Sequence, residues 1–239
     1  LLIRILGVTV LFGFTLFLTN FFPPEDVGRY DFVRSVLNIV GGIALLGTNQ
    51  SIIYYSGMLE AKKNLASIKP LYYRMLKLII LSSLLILLTF NFTFSEEFIS
   101  RVFKKSDAYN LILKTFFALI FFTVTMLNID TIRALQKTVI SELFRNIFRY
   151  VPVLLGAILI YILEKTQLIV DVYLIGFLIL CLISTACTFF LIRKKRFNKP
   201  PSFFFTYKEI FLTSYPMAIS AIAYFIMQGI DVLILTTYS

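Results

Sequence analysis

Seven apolar runs, at residues 1–22, 30–55, 75–94, 111–132, 147–163, 168–192 and 210–235, leave little of the chain for anything else. Most are near the roughly 20 residues a helix needs to cross a bilayer. Inside hydrocarbon the backbone must satisfy its own hydrogen bonds, which restricts spanning segments to helices or closed barrels. A chain that is 59% hydrophobic and only 15% charged, with a mean hydropathy of +0.86, fits the helical choice. The expected class is therefore all-α, a polytopic helical membrane protein. The fifth run is short, and Phe144 is a candidate for its first turn.

The connections alternate in charge. Those after runs two, four and six carry Lys62, Lys63, Lys69 and Arg74, then Arg133, Lys137 and Arg145, then Arg193, Lys194, Lys195, Arg196 and Lys199. Those after runs one, three and five mix acids with bases. The positive-inside bias then places the N-terminus and the basic loops in the cytoplasm, with the chain multi-pass in the cytoplasmic (inner) membrane. The net charge of +10 follows from that bias and from attraction to anionic membrane lipids, and does not call for nucleic acid. The chain opens with Leu inside an apolar run, which reads as a missing start and not as a cleavable signal peptide.

Several chemistries find no residues. The chain has no His, the usual neutral-pH base and metal ligand. Cys181 and Cys187 share one apolar run at a separation too long to bridge along a helix, so both are expected as free thiols. No nucleophile motif, Gly-rich phosphate loop or metal cluster is present, so no catalytic residue, metal or cofactor is expected. Of the polar stretches, 56–74 is expected to form a short amphipathic cytoplasmic helix. Residues 193–209, basic and broken by Pro200-Pro201, read as a linker between two bundles.

The second run is unlike a lipid-facing helix. After a stop at Pro23-Pro24 and a corner closed by Gly28, Arg34, Asn38, Gly41-Gly42, Leu45 and Asn49 recur at helical spacing. Such a stripe should face other helices or a wet cavity. Arg34 either lines that cavity or snorkels to headgroups, and Asn38 with Gly41-Gly42 either lines it or serves close helix packing.

The corner FFPPEDVGRYDF, with Pro24, Glu25, Asp26, Gly28 and Tyr30 in place and Val27 where an aromatic is usual, resembles the corner after the first helix of oligosaccharide flippases. The turn Leu46-Gly47-Thr48-Asn49-Gln50-Ser51 and the Pro216-initiated seventh run with Ile230-Asp231 resemble the same family. These are the Wzx-type O-antigen and related polysaccharide flippases of the multidrug/oligosaccharidyl-lipid/polysaccharide superfamily. The resemblance implies the first six-helix lobe (1–192) of a two-lobe MATE-like transporter, the linker 193–209, and the first helix (210–239) of a second lobe, in a chain truncated at both ends. It implies an undecaprenyl-diphosphate-linked oligosaccharide as substrate, alternating access without covalent chemistry, and possible Na+ or H+ coupling through Asp231 and Gln228.

Arg145 and Arg149 lie one turn apart at the start of the fifth run. With Arg4, Arg133 and Asn128 they are expected to ring the cytoplasmic mouth and to bind a diphosphate bidentately. Asp130 is expected to pair with Arg133 or a neighbouring Arg. An ordinary positive-inside flank is the rival account. Two other functions stay open: a drug/cation antiporter of the same fold, and a membrane glycosyltransferase or polymerase using Glu25 and Asp26. For that acidic pair, charge placed in the first turn of the following helix is the simpler account.

Overall fold

The computed structural model describes residues 2–104, 107–194 and 204–238, without the side chains of 228, 229, 233 and 235–238. No strand occurs among the described residues. Six helical segments are long and apolar enough to span a bilayer: Leu2–Phe21, Leu65–Thr93, Ala108–Ala134, Thr138–Ile162, Thr166–Lys194 and Tyr207–Met227. Pro24–Ala44 and Thr48–Ala61, bent by 46°, together make a seventh. The molecule is thus an all-α, multi-span protein with seven candidate spans among the described residues.

Span one is α1 (Leu2–Phe21), and span two comprises α2 (Pro24–Ala44) and α3 (Thr48–Ala61). Span three is α4 (Ile68–Thr93); a short amphipathic α5 (Glu96–Phe103) leads into span four, α6 (Ala108–Ala134). Span five is composite: α7 (Thr138–Leu143), a π turn (Phe144–Phe148) and α8 (Val151–Ile162). Spans six and seven are α9 (Ile169–Lys194) and α10 (Tyr207–Tyr238).

Ion pairs and hydrogen bonds fix the directions. Arg4 meets Glu142 at 2.9 Å, placing the starts of spans one and five at one end of the bundle, hereafter the N-side. Arg29 meets Asp107 at 2.7 Å, and Lys114 meets Asp171 at 2.7 Å, placing the starts of α2, α6 and α9 at the far side. Tyr55, near the end of α3, donates to the Glu209 carbonyl at 3.1 Å, returning α10 to the N-side.

The central helix is α6, packed against α2, α3, α4 and α9. Its sequence suits that place. Thr115, Thr123, Thr125 and Thr131 are all fully buried, and each hydroxyl donates to the carbonyl one turn back at 2.6–3.0 Å. Polar side chains that need no outside partner can lie between helices at little cost. Asn128 serves as a cross-link: it accepts from Tyr72 of α4 at 2.7 Å and donates to Ser184 and Thr185 of α9 at 3.1 and 2.9 Å.

Two spans are broken, each for an identifiable reason. In span two Leu46 and Gly47 have φ of 51° and 72°. Gly47 tolerates the left-handed conformation, and a Cβ there would lie 2.3 Å from the Ser214 carbonyl oxygen of α10. In span five Pro152 supplies no N–H to the turn before it, and the helix widens just upstream.

Three expectations change. The stripe from Arg34 to Asn49 does not continue on one straight face, because the break at 45–47 re-aims Asn49. Residues 56–74 are not a separate amphipathic helix: α3 runs to Ala61, and a 3-10 turn (Leu65–Ser67) leads into α4, which buries Ile68, Leu71 and Tyr72. Span five begins at Thr138, nine residues before the apolar run, because Ser141 is buried and bonds the Ile129 carbonyl at 2.9 Å. The two thiols are free, as expected. Of the linker, 195–203 lie outside the described residues. Beyond it, α10 packs along α2 and α3.

Candidate functional site

A cavity of about 390 Å³ lies between α1, α2, span five, α9 and α10, and Tyr30, Arg34, Asn38, Arg149, Tyr173 and Phe225 are among its walls. Counting helical rise, Arg149 sits about 16 Å into span five from the N-side, and Asn38 about 21 Å into span two from the far side. Both are at mid-depth. This corrects the expected place of Arg149: adding residues 138–146, nine in all, ahead of the apolar run moves it from the mouth of the span to its middle.

Arg149 donates to Asn38 Oδ1 at 3.1 Å. Its guanidinium lies 5.6–5.9 Å from the ring centres of Phe122, Tyr150 and Phe177, within cation–π range. An amide and three rings hold the cation without neutralising it. Arg34 is more compensated, with Asp31 at 3.0 Å and the Tyr30 ring at 5.7 Å. Of the two readings of Arg34, the cavity wall is the one realised. Tyr173 is 4% exposed, and its hydroxyl has no hydrogen-bond partner among the described residues. The site therefore combines two guanidinium groups, one amide and phenolic hydroxyls on one wall, a set that can grip an anion and hydrogen-bond to a polyol.

The two glycines of the stripe bring the walls together. A Cβ at Gly41 would lie 2.3 Å from the Phe122 ring, and one at Gly42 would lie 2.5 Å from Phe225. Close packing is thus their role, and it sets Phe122 beneath Arg149 and Phe225 against the cavity.

The other expected residues do not form one ring. Arg4 is spent on Glu142, whose carboxylate also accepts from Asn146 at 2.9 Å. Arg145 pairs with Asp130, which is 6% exposed and also accepts weakly from Asn49 Nδ2 at 3.4 Å. Arg133 stands half-buried near the end of α6, beyond Asp130. Asn128 is fully buried in its cross-link, so it cannot line a mouth. The ring expected at the N-side divides because each acid nearby has taken a different arginine. Asp231 is exposed on α10, about two turns past Phe225. The side chain of Gln228 lies outside the described residues.

Sequence reasoning missed Tyr30, Tyr150, Tyr173 and Phe225 as cavity residues, and Glu142 as a partner for Arg4. Three tyrosines beside or within apolar runs carry a signal, since a phenol in hydrocarbon wants a partner. Phe225 has no such signal among 26 Phe. Glu25 and Asp26, the acids of the transferase reading, both meet Arg29, at 2.8 and 3.7 Å, in the first turn of α2.

No protein-family model matches the chain, and no similar curated protein or solved structure was found.

Proposed function

We propose that the protein is a flippase for a polyprenyl-diphosphate-linked oligosaccharide, of the undecaprenyl type, working by alternating access. The observation that carries this reading is Arg149: a mid-depth cation on a cavity wall, held by Asn38 and three rings and not by an acid. An unneutralised guanidinium in such a place has a desolvation cost that an anionic substrate would offset. A diphosphate supplies the charge, and the phenols and Asn38 suit the attached sugars. A cationic drug would meet two arginines, which disfavours the antiporter. In this reading the N-side faces the cytoplasm, the polyprenyl tail stays in lipid, and Na+ or H+ coupling falls to residues such as Asp231.

The test is translocation of the lipid-linked oligosaccharide by the native full-length protein in proteoliposomes. Arg149→Ala should reduce the rate tenfold or more, since charge-assisted hydrogen bonds contribute about 1.5–3 kcal/mol each. Arg149→Lys should keep an intermediate rate, retaining charge without the planar fork. An unchanged rate in Arg149→Ala would remove the basis of the proposal. Orientation is checked separately with the native cysteines replaced. A cysteine at Lys62 should escape an impermeant thiol reagent in intact cells, whereas one at Glu25 should react.

A further inference from the structure

On the flank away from the cavity, α6 and α9 carry the same pattern side by side. On α6 the residues are Lys114, Phe117, Ala118 and Phe121; on α9 they are Asp171, Leu174, Ile175 and Leu178. Both follow i, i+3, i+4, i+7, so each makes one stripe. Both helices start at the far side, so each stripe is apolar below and charged at its far-side head, with opposite signs. Between the stripes runs an apolar groove of about 260 Å³, with Phe117 59% and Ile175 55% exposed along it. Ala118, small and buried, gives the groove its depth. The heads, Lys114 and Asp171, meet at 2.7 Å.

Those same two residues also wall a second cavity of about 240 Å³ nearer the far side, together with Arg29, Asp107, Asn110 and Gln167. An apolar groove thus adjoins a pocket whose charges are paired two by two, Arg29 with Asp107 and Lys114 with Asp171, beside two amides and the apolar Leu111 and Val170. That sequence of surfaces, along the membrane normal, is the profile of one phospholipid: acyl chain, then headgroup.

We infer that this flank is a binding site for a phospholipid with a primary-amine zwitterionic headgroup, of the phosphatidylethanolamine class, in the leaflet away from the chain's N-terminus. The Lys114–Asp171 pair is solvent-accessible on both sides and opens to take the headgroup between its members: the phosphate accepts from Lys114, the ammonium donates to Asp171, and one acyl chain lies against Ala118. Charge complementarity selects the headgroup. The pocket's charges balance, so an anionic glycerol headgroup gains no net attraction. A choline headgroup has no N–H to offer Asp171. The groove covers about 10 Å of depth, within one leaflet. This site does not depend on the proposed transport function.

The test is native mass spectrometry of the full-length protein, delipidated and offered equimolar phosphatidylethanolamine, phosphatidylglycerol and phosphatidylcholine with identical acyl chains. The wild type should retain phosphatidylethanolamine at least fivefold over the other two. Lys114→Ala combined with Asp171→Ala should abolish the preference, and Ala118→Leu, which fills the groove, should lower retention of all three. Exchanging the pair, Lys114→Asp with Asp171→Lys, should keep the preference, because both signs remain. If the doubly truncated protein does not fold, the exchanged pair and Ala118→Leu decide. Equal retention of the three lipids by the wild type, a preference for phosphatidylglycerol, or full retention after Ala118→Leu would each overturn the site.

Discussion

Arg145 and Arg149 stand one helical turn apart on span five and have opposite surroundings. Arg145 reaches Asp130, a carboxylate buried on α6. Arg149 reaches an amide and three aromatic rings. The first cation is neutralised and serves to hold span five against α6. The second keeps its charge on a cavity wall. The π turn between Leu143 and Arg149 separates them, since a wider turn changes the directions in which two residues at i and i+4 point. Basic residues in a membrane protein are therefore not equivalent evidence for a site. The partner decides.

The largest effect should come from setting the two groups of cations against each other. Arg34→Ala with Arg149→Ala should abolish translocation while leaving abundance and insertion normal. Arg4→Ala with Arg133→Ala should leave translocation within about twofold, that is, below about 0.4 kcal/mol. The same loss in both doubles would erase the distinction between the arginines on the cavity wall and those outside it.

Next in size is the stability cost at Asp130. Arg145→Ala strands a carboxylate that is 6% exposed. Breaking a buried pair typically costs about 3–5 kcal/mol. Arg145 is 40% exposed, so water lowers the expected cost to about 2 kcal/mol. Adding Asp130→Asn should recover most of it, measured by thermal unfolding in one detergent. For Arg149→Ala the corresponding loss should be small, because no acid is left behind.

A smaller effect tests how the free cation is held. Gly41→Ala pushes a methyl into the Phe122 ring, which lies under Arg149. The expected cost is about 1–3 kcal/mol for overpacking, accompanied by slower translocation. Gly13→Ala, with nothing within 4 Å of the added methyl, should be neutral or slightly stabilising. The smallest effect belongs to Arg4→Ala alone: Arg4 is itself exposed and Glu142 keeps Asn146 as a donor, so unfolding temperature and translocation should both stay nearly unchanged.

The spans were legible because hydrophobicity over about 20 residues is a local property, and lipid makes it nearly sufficient. The first-turn acids of α2 were legible too: Pro24, Glu25 and Asp26 open that helix as helix-start rules require. The start of span five was not, because Thr138, Ser141 and Glu142 look like loop residues until α6 supplies a carbonyl and α1 supplies Arg4.

The sequence by itself determined that the chain is helical, multi-span and basic at alternate connections, since each follows from the transfer cost of local residues into hydrocarbon. It also determined that Arg34 and Asn38 share a face, since helical spacing settles that. Only the tertiary structure decided which arginine meets which acid. The choice between Asp130, Glu142 and Asn38 depends on two helix breaks, at 45–47 and 144–148, and on glycines that let Phe122 and Phe225 approach. Those contacts join residues up to 138 positions apart, and pairings at that range are set by packing, which no local pattern encodes.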